Sequence, residues 1–380
     1  MAERVSVDPT LLTWALTRSG LTDEDSRWER FSRWAAGDES PTFRQLEAFA
    51  TATHAPLGYL FLPTPPVEIV PIPDFRTVGN AGVPAPSPDL LETIYECQDR
   101  QSWYRTYAAE QGLDPLPFVG SATDNDPVEV VANDIRRVIN FGMGQRAQYS
   151  TWQDALRGLI DAIESIGVLV MVSGIVKGNT RRKLDPTEFR GFALTDPMAS
   201  LIFVNGADTK AAQIFTMVHE LAHVWLGETA LSDAQMSSNT ATGHELWANR
   251  VAAEVLVPLA ALSTDYQGSA DASELQRLAK RYKVSTLVVL KRIHDAGYLG
   301  WDDYRSRYAD ELSRVLAILA SRGSGGNYYN TQPLRVSQTF ARAVIVDTLE
   351  GRTLYRDAYG LLGAAQRKTF DGLATTLGVA

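Results

Sequence analysis

The stretch TKAAQIFTMVHELAHVWLG at residues 209–227 determines how the rest of the chain is interpreted. Its apolar run predicts one buried helix over most of this stretch, ended by Gly227. Within that helix His219 and His223 are four residues apart and therefore share one face. Both imidazoles can bind a single Zn²⁺ ion, and Glu220 can accept a proton from a metal-bound water. Because the chain has only five histidines, this H-E-x-x-H spacing is rare by chance.

A catalytic zinc ion needs a third protein ligand, and the second predicted helix, 244–257, offers two candidates. Glu245 projects from the same side as the apolar stripe of this helix, whereas His244 lies at the helix start in another direction. Thr242 and Glu245 also fit a capping box, in which the glutamate bonds back to the helix start. Spacing alone leaves three readings open: Glu245 as ligand, Glu245 as cap, and His244 as ligand. Asn249, one turn further on, is expected to orient a ligand.

The chain predicts a mainly helical α+β fold with a few short strands in its middle. Helical patterns flank three apolar runs of strand length, and a Pro- and Gly-rich stretch separates the N-terminal helices from the rest. We therefore predict five segments: a helical domain (1–63), a linker or arm (64–90), a metal-binding domain (91–262), a small helix-turn-helix-like subdomain (263–300) and a C-terminal helical region (301–380).

Composition limits the classes of protein that this chain can belong to. The net charge of −9 excludes nucleic-acid binding over the whole surface. A single cysteine, Cys97, excludes an internal disulfide and a structural zinc site built on several thiolates. No apolar run reaches the length of a membrane span, and the N-terminus has no signal-peptide pattern. We expect a cytoplasmic protein without a membrane partner, able to form homo-oligomers.

The N-terminal helices resemble a helix-turn-helix domain of the phage-repressor type. The recognition helix would lie near residues 28–35, where Arg27, Arg30 and Arg33 are candidate DNA contacts. Residues 1–63 nevertheless carry six arginines against nine acids, a net charge of −3. A docking or autoregulatory role therefore competes with sequence-specific DNA binding.

Further candidate residues concern a protein substrate. An edge strand near Phe192 or Ile202 is expected to bind substrate backbone by strand addition. The candidates for a contact with the substrate or the transition state are Arg190, His244, Arg250 and Tyr266.

The segments FTMVHELAHVWLG (215–227) and HELWANRVAAEVLVP (244–258) resemble the ImmA/IrrE family of metallo-endopeptidases. This resemblance implies a zincin-like core, with one Zn²⁺ per chain held by His219, His223 and Glu245, and Glu220 as the base. Further segments are similar to the family as well: WAAGDESPT (34–42), IPDFRT (72–77), EFRGFAL (188–194), IFVN (202–205), LAKRYKVSTLVVLKRIHDAGYL (278–299) and GGNYYN (325–330).

The resemblance also implies a biological task. Family members are similar to proteases that cleave a helix-turn-helix repressor or antitoxin-like protein and so release stress, phage or mobile-element genes. The competing hypothesis is a DNA-binding regulator that keeps the protease fold with little or no activity. The intact Glu220 argues against that alternative, because a regulator that does not cleave peptides has no need of a general base.

Overall fold

The computed structural model describes residues 3–74, 85–232, 243–320, 334–364 and 366–379. The described chain is predominantly helical and carries one small mixed sheet, which confirms the predicted α+β class. By its internal contacts it divides into two units, one of residues 1–71 with 83–95 and the other of residues 72–82 with 96–380.

The two helices predicted to carry the metal ligands begin and end within one or two residues of the positions that the sequence pattern predicts. Their bounds are α1 Pro9–Ser19, α2 Trp28–Ala36, α3 Phe43–Thr53, α4 Pro88–Glu110, α5 Val128–Val138, α6 Met143–Arg146, α7 Trp152–Ser165, α8 Lys210–Leu226, α9 Gly243–Leu256, α10 Leu259–Asp265, α11 Ala272–Tyr282, α12 Thr286–Asp295, α13 Trp301–Ala320, α14 Gln338–Leu349, α15 Tyr355–Leu362 and α16 Arg367–Leu377. No single described helix is long and apolar enough to cross a bilayer; α9 and α10 pass that test only as a pair bent by 47°.

The sheet contains β1 (Leu169–Ser173), β2 (Gly191–Leu194), β3 (Leu201–Asn205) and β4 (Ala230–Leu231), in the order β1-β3-β2-β4. β1 runs parallel to β3, and the other two pairings are antiparallel. The expectation of a free edge near Phe192 or Ile202 is wrong, because both residues lie in the two inner strands. A run of four or five apolar residues identifies a buried strand but carries no information about its place in the sheet.

The edge formed by β4 also pairs with the chain itself. Asp74 forms a parallel bridge with Leu231, and the Leu231 N–H donates to the carbonyl of Pro73 over 3.0 Å. Ile72, next to these residues, is buried. The extended segment 72–74 therefore lies along β4.

Helix α8 is the centre of the larger unit. The Thr209 hydroxyl accepts from the Ala212 N–H at its start, and Gly227 ends it with a φ of 73°. The side chains from Ala212 to Trp225 are all buried against α7, α9, β2 and β3. A helix that is apolar on nearly all sides is stable only inside a core, so any polar group on it is desolvated.

The N-terminal unit has its own apolar core around Phe31, Trp34 and Phe49, packed in tilted and edge-to-face geometries. The three helices α1 to α3 confirm the predicted bundle of short helices. Residues 20–27 connect α1 to α2, and residues 37–42 connect α2 to α3. Both connections are longer than the turn of about three or four residues that joins the helices of a helix-turn-helix.

The pair α11 and α12 does form a tight helix–turn–helix, but α12 is largely buried from Thr286 to Leu290 and at Ile293. Burial of that kind leaves little surface for contact with a DNA groove and favours a structural role for this element. Further along the chain, the buried Glu164 of α7 accepts from the backbone N–H groups of Gln338 and Thr339 at 3.1 Å each. This contact fixes the start of α14 on the larger unit.

Candidate metal centre

Three potential metal ligands come together between α8 and α9. His219 Nε2 and His223 Nε2 are 3.2 Å apart, and Glu245 places Oε2 3.3 Å from the first and Oε1 3.1 Å from the second. All three side chains are buried. Among the described residues, they form the group of His, Cys, Asp and Glu side chains that could hold a metal ion.

The spacing of these atoms fits a tetrahedral zinc shell. Ligand atoms about 2.0–2.1 Å from zinc are separated by about 3.3 Å in tetrahedral geometry. The two Nε2 atoms are separated by close to that value, and each has a different oxygen of Glu245 at a similar distance. The donor set of two imidazoles and one carboxylate is one that zinc accepts in catalytic sites. The residues present therefore fit the metal that the sequence predicts.

Glu220 lies beside this cluster and is fully buried on the sheet side of α8. Its Oε1 accepts a hydrogen bond from the Ser232 hydroxyl, directly after β4. Its Oε2 is buried without a hydrogen-bond partner among the described residues. Gly191 of β2 makes this approach possible, since a Cβ there would lie 2.7 Å from the Phe203 carbonyl and 3.1 Å from Glu220 Oε1. The orphaned oxygen is the atom that remains available for a proton.

Each imidazole has a partner on its other ring nitrogen. His219 Nδ1 donates to Asn249 Oδ1 over 3.1 Å, so Asn249 occupies the orienting position that the sequence predicts for it. His223 Nδ1 faces Glu228 Oε2 at 3.9 Å, an ion-pair distance. These partners leave the Nε2 atoms of both rings directed toward Glu245.

The electrostatics of the cluster are strongly coupled. Burial raises the pKa of Glu220 to about 8, although His219 and the Ser232 hydroxyl oppose this shift. Burial also acts to raise the pKa of Glu245, but the two imidazoles outweigh it and hold the pKa below its usual range. For His223, burial lowers the pKa while Glu228 and Glu245 raise it, and the net direction is upward. Carboxylates with opposed pKa shifts at one buried site are typical of catalytic centres.

This geometry separates the two candidate ligands of the second helix. Glu245 points at the histidine pair, whereas His244 has both ring nitrogens engaged elsewhere, Nδ1 with Glu228 at 2.6 Å and Nε2 with Asp124 at 3.3 Å. The geometry therefore favours Glu245 over His244 as the third ligand. Thr242, the other half of the proposed capping box, lies outside the described residues.

The other candidate contact residues of the larger unit have neighbours outside the cluster or face solvent. Arg190 is directed at Asp208, with 3.6 Å between Nε and Oδ2, near the start of α8 rather than its metal-binding turns. The Tyr266 ring packs against Tyr298, and Arg250 is exposed on α9. A role of these side chains in contacting the substrate or the transition state stays a prediction.

The candidate DNA contacts of the N-terminal unit have partners within that unit. Arg27 forms a salt bridge with Asp25, and Arg33 lies 3.4 Å from Glu39. The guanidinium of Arg30 lies over the rings of Phe31 and Trp34. DNA binding by these arginines stays a prediction.

Sequence reasoning missed Glu228, Ser232 and Gly191. Glu228 follows the glycine that ends α8, and an acid at this position is a usable signal because the reversed turn directs it back along the helix. Ser232 and Gly191 approach Glu220 only through the sheet, so no local pattern identifies them.

Comparison with known families agrees with this geometry. Residues 163–294 match the Peptidase_M78 model, described as an IrrE N-terminal-like domain, and residues 336–376 match a domain of unknown function, DUF8813. No curated protein and no solved structure matches the chain. The first match contains all three candidate ligands and supports both the ImmA/IrrE resemblance and a metallopeptidase-like domain. Neither match includes the N-terminal unit.

Proposed function

We propose that this protein is a zinc-dependent endopeptidase whose single zinc ion is held by His219, His223 and Glu245. The observation that carries the proposal is the convergence of two imidazole Nε2 atoms, 3.2 Å apart, with the Glu245 carboxylate, which places a different oxygen 3.1–3.3 Å from each nitrogen, beside a buried glutamate with one orphaned oxygen. The match of residues 163–294 to the Peptidase_M78 model supports the same reaction class.

The chemistry follows from the positions of the side chains. Zinc, when bound, supplies Lewis-acid polarisation of a peptide carbonyl and makes a nearby water more acidic. Glu220 accepts the proton of the attacking water on Oε2, while Ser232 holds Oε1. The water oxygen adds to the carbonyl carbon, the C–N bond breaks, and the proton on Glu220 passes to the leaving nitrogen. A raised proton affinity suits this role, and the charge of a bound cation shifts the same carboxyl back toward ionisation.

Substrate backbone is expected at the edge of β4. This edge continues into Ser232, which contacts Glu220, and it already pairs with the extended segment 72–74. An extended substrate would use the same Leu231 N–H that Pro73 now occupies, so substrate pairing there requires this segment to move.

The proposed substrate is a helix-turn-helix repressor or antitoxin-like protein, and the proposed setting is the cytoplasm. Both come from the ImmA/IrrE resemblance. A long, extended connection between folded domains is the part of such a protein that fits an edge strand, because helices present no free backbone groups for pairing.

The test compares the wild type with Glu220→Gln and His219→Ala in producing cells. New protein N-termini are enriched and identified by mass spectrometry, and zinc in each purified protein is measured by elemental analysis. We expect new N-termini with the wild type only, one zinc per chain in the wild type and Glu220→Gln, and little zinc in His219→Ala. Identical N-termini from the wild type and Glu220→Gln would contradict the proposal and favour the regulator hypothesis.

A further inference from the structure

Glu228 stands between the two helices that supply the metal ligands. Gly227 ends α8 in the left-handed conformation, and a Cβ at this position would lie 3.0 Å from the Cα of Gly120. The Glu228 N–H then donates to the His223 carbonyl over 3.0 Å, which turns the chain back on itself. This turn requires glycine at position 227 and directs the side chain of Glu228 toward the end of α8.

The two carboxylate oxygens of Glu228 have different neighbours. Oε2 is buried, makes no hydrogen bond within the described part of the chain, and faces His223 Nδ1 at 3.9 Å. Oε1 lies 2.6 Å from Nδ1 of His244, and Nε2 of that ring lies 3.3 Å from Asp124. Asp124, His244, Glu228 and His223 therefore form one continuous row of alternating carboxylates and imidazoles.

This row joins the ends of both ligand-bearing helices. His223 is a proposed ligand in the last turns of α8, and His244 directly precedes the ligand Glu245 at the start of α9. A single carboxylate, 2.6 Å from His244 Nδ1 and 3.9 Å from His223 Nδ1, therefore links the two helix ends electrostatically. Its charge favours the orientation of the His223 ring in which Nδ1 faces Glu228 and Nε2 points at Glu245.

A carboxylate beside the second nitrogen of a metal-binding imidazole has two effects. It selects the tautomer whose other nitrogen is free to bind the metal, and its charge makes the imidazole a stronger donor. Asn249 supplies only the first effect for His219, because an amide carries no net charge. Glu228 supplies both.

We propose that Glu228 is a positioning residue of the zinc centre, holding His223 as a ligand and anchoring Glu245 through His244. This inference rests on the proposed zinc site, but its test needs no substrate. His244 accordingly acts on the metal through Glu228 and not as a contact of the transition state.

The experiment measures zinc affinity by competition with a chromogenic chelator in the full-length protein. We expect Glu228→Gln to weaken zinc binding about 10- to 100-fold, the usual effect of removing such a partner. His244→Asn should weaken it by more than about twofold but less than about tenfold, and the double variant should bind zinc no more weakly than Glu228→Gln alone, since both residues act in one row. Glu129→Gln, an exposed acid on α5, is the matched control.

Two further measurements separate positioning from general destabilisation. The visible spectrum of the Co²⁺-loaded protein should shift in Glu228→Gln and stay unchanged in Glu129→Gln, because only Glu228 lies beside the proposed ligand His223. Urea unfolding of the metal-free proteins identifies any variant that is poorly folded, and for such a variant His244→Asn serves in its place. Zinc affinity within twofold of the wild type, with an unchanged Co²⁺ spectrum, would overturn the role of Glu228. A wild type that binds no zinc would instead overturn the proposed function.

Discussion

Replacing Glu220 by glutamine should stabilise the metal-free protein. Glu220 is fully buried, and its pKa is raised from the ordinary 4.5 to about 8. Between those two pH values the unfolded chain releases the proton of this carboxyl while the folded chain retains it. Stability therefore falls as pH rises through this window, because the folded state binds more protons than the unfolded state. Glutamine has the same shape and no such linkage.

The size of the effect follows from the shift. pH 7 lies about 2.5 pH units above 4.5, the ordinary pKa of this carboxyl. Each of these units lowers the free energy of unfolding of the wild type by about 1.4 kcal/mol. The wild type should then be less stable than Glu220→Gln by about 3 kcal/mol, with no difference near pH 4 and the largest difference above pH 8. The comparison is matched, because glutamine can still accept from Ser232, and its amide group replaces the hydroxyl of the protonated acid.

Urea unfolding in the presence of EDTA, repeated from pH 4 to pH 9, measures this difference directly. Glu129→Gln removes an exposed acid from the same unit and controls for the change in net charge. A stability difference between wild type and Glu220→Gln that does not depend on pH would refute the assignment of Glu220 as a desolvated acid. A less stable Glu220→Gln at pH 7 would do the same.

Two further predictions concern the sheet side of the site. Gly191→Ala should lower the free energy of unfolding by about 1–3 kcal/mol, measured in urea, because its Cβ would lie 2.6 Å from Thr216 Cγ2 and 2.7 Å from a backbone carbonyl; unchanged stability would mean that β2 and α8 are less closely packed than described. Ile72→Asp should release segment 72–74 from β4, so that the Leu231 N–H loses its acceptor, the Pro73 carbonyl. Hydrogen exchange at the Leu231 amide, measured by mass spectrometry, should then become about tenfold faster. Exchange as slow as in the wild type would argue against the pairing.

The features predicted correctly are those carried by local periodicity. The H-E-x-x-H helix, its end at Gly227 and the three buried strands follow from apolar spacing and breakers, and the structure places them within a few residues of the expected bounds. Spacing alone left Glu245 open between a ligand and a helix cap, and the family resemblance implied that it is a ligand. The structure then turns it toward both imidazoles.

The features that sequence reasoning missed depend on long-range packing. Phe192 was expected at an edge but lies in an inner strand, because strand order is set by contacts between strands far apart in sequence. Ser232 reaches Glu220 from 12 residues away, through the sheet. Arg190, a candidate contact of the substrate, faces Asp208, a pairing that no local sequence pattern indicates. Side-chain direction depends on backbone register, which composition does not specify.

The charge of the cluster gives an independent reason to expect a cation. Glu220 and Glu245 lie beside two imidazoles at a desolvated place, so neutral histidines would leave up to two negative charges without compensation. Isolated buried charges are too costly to persist, and such a site must take up protons or a metal ion. The raised pKa values of Glu220 and His223 mean that both side chains bind protons more tightly in the metal-free site. A divalent cation meets this requirement better than protons do. Its charge compensates Glu245 while it binds a lone pair from each imidazole, and Glu220 stays able to exchange its proton.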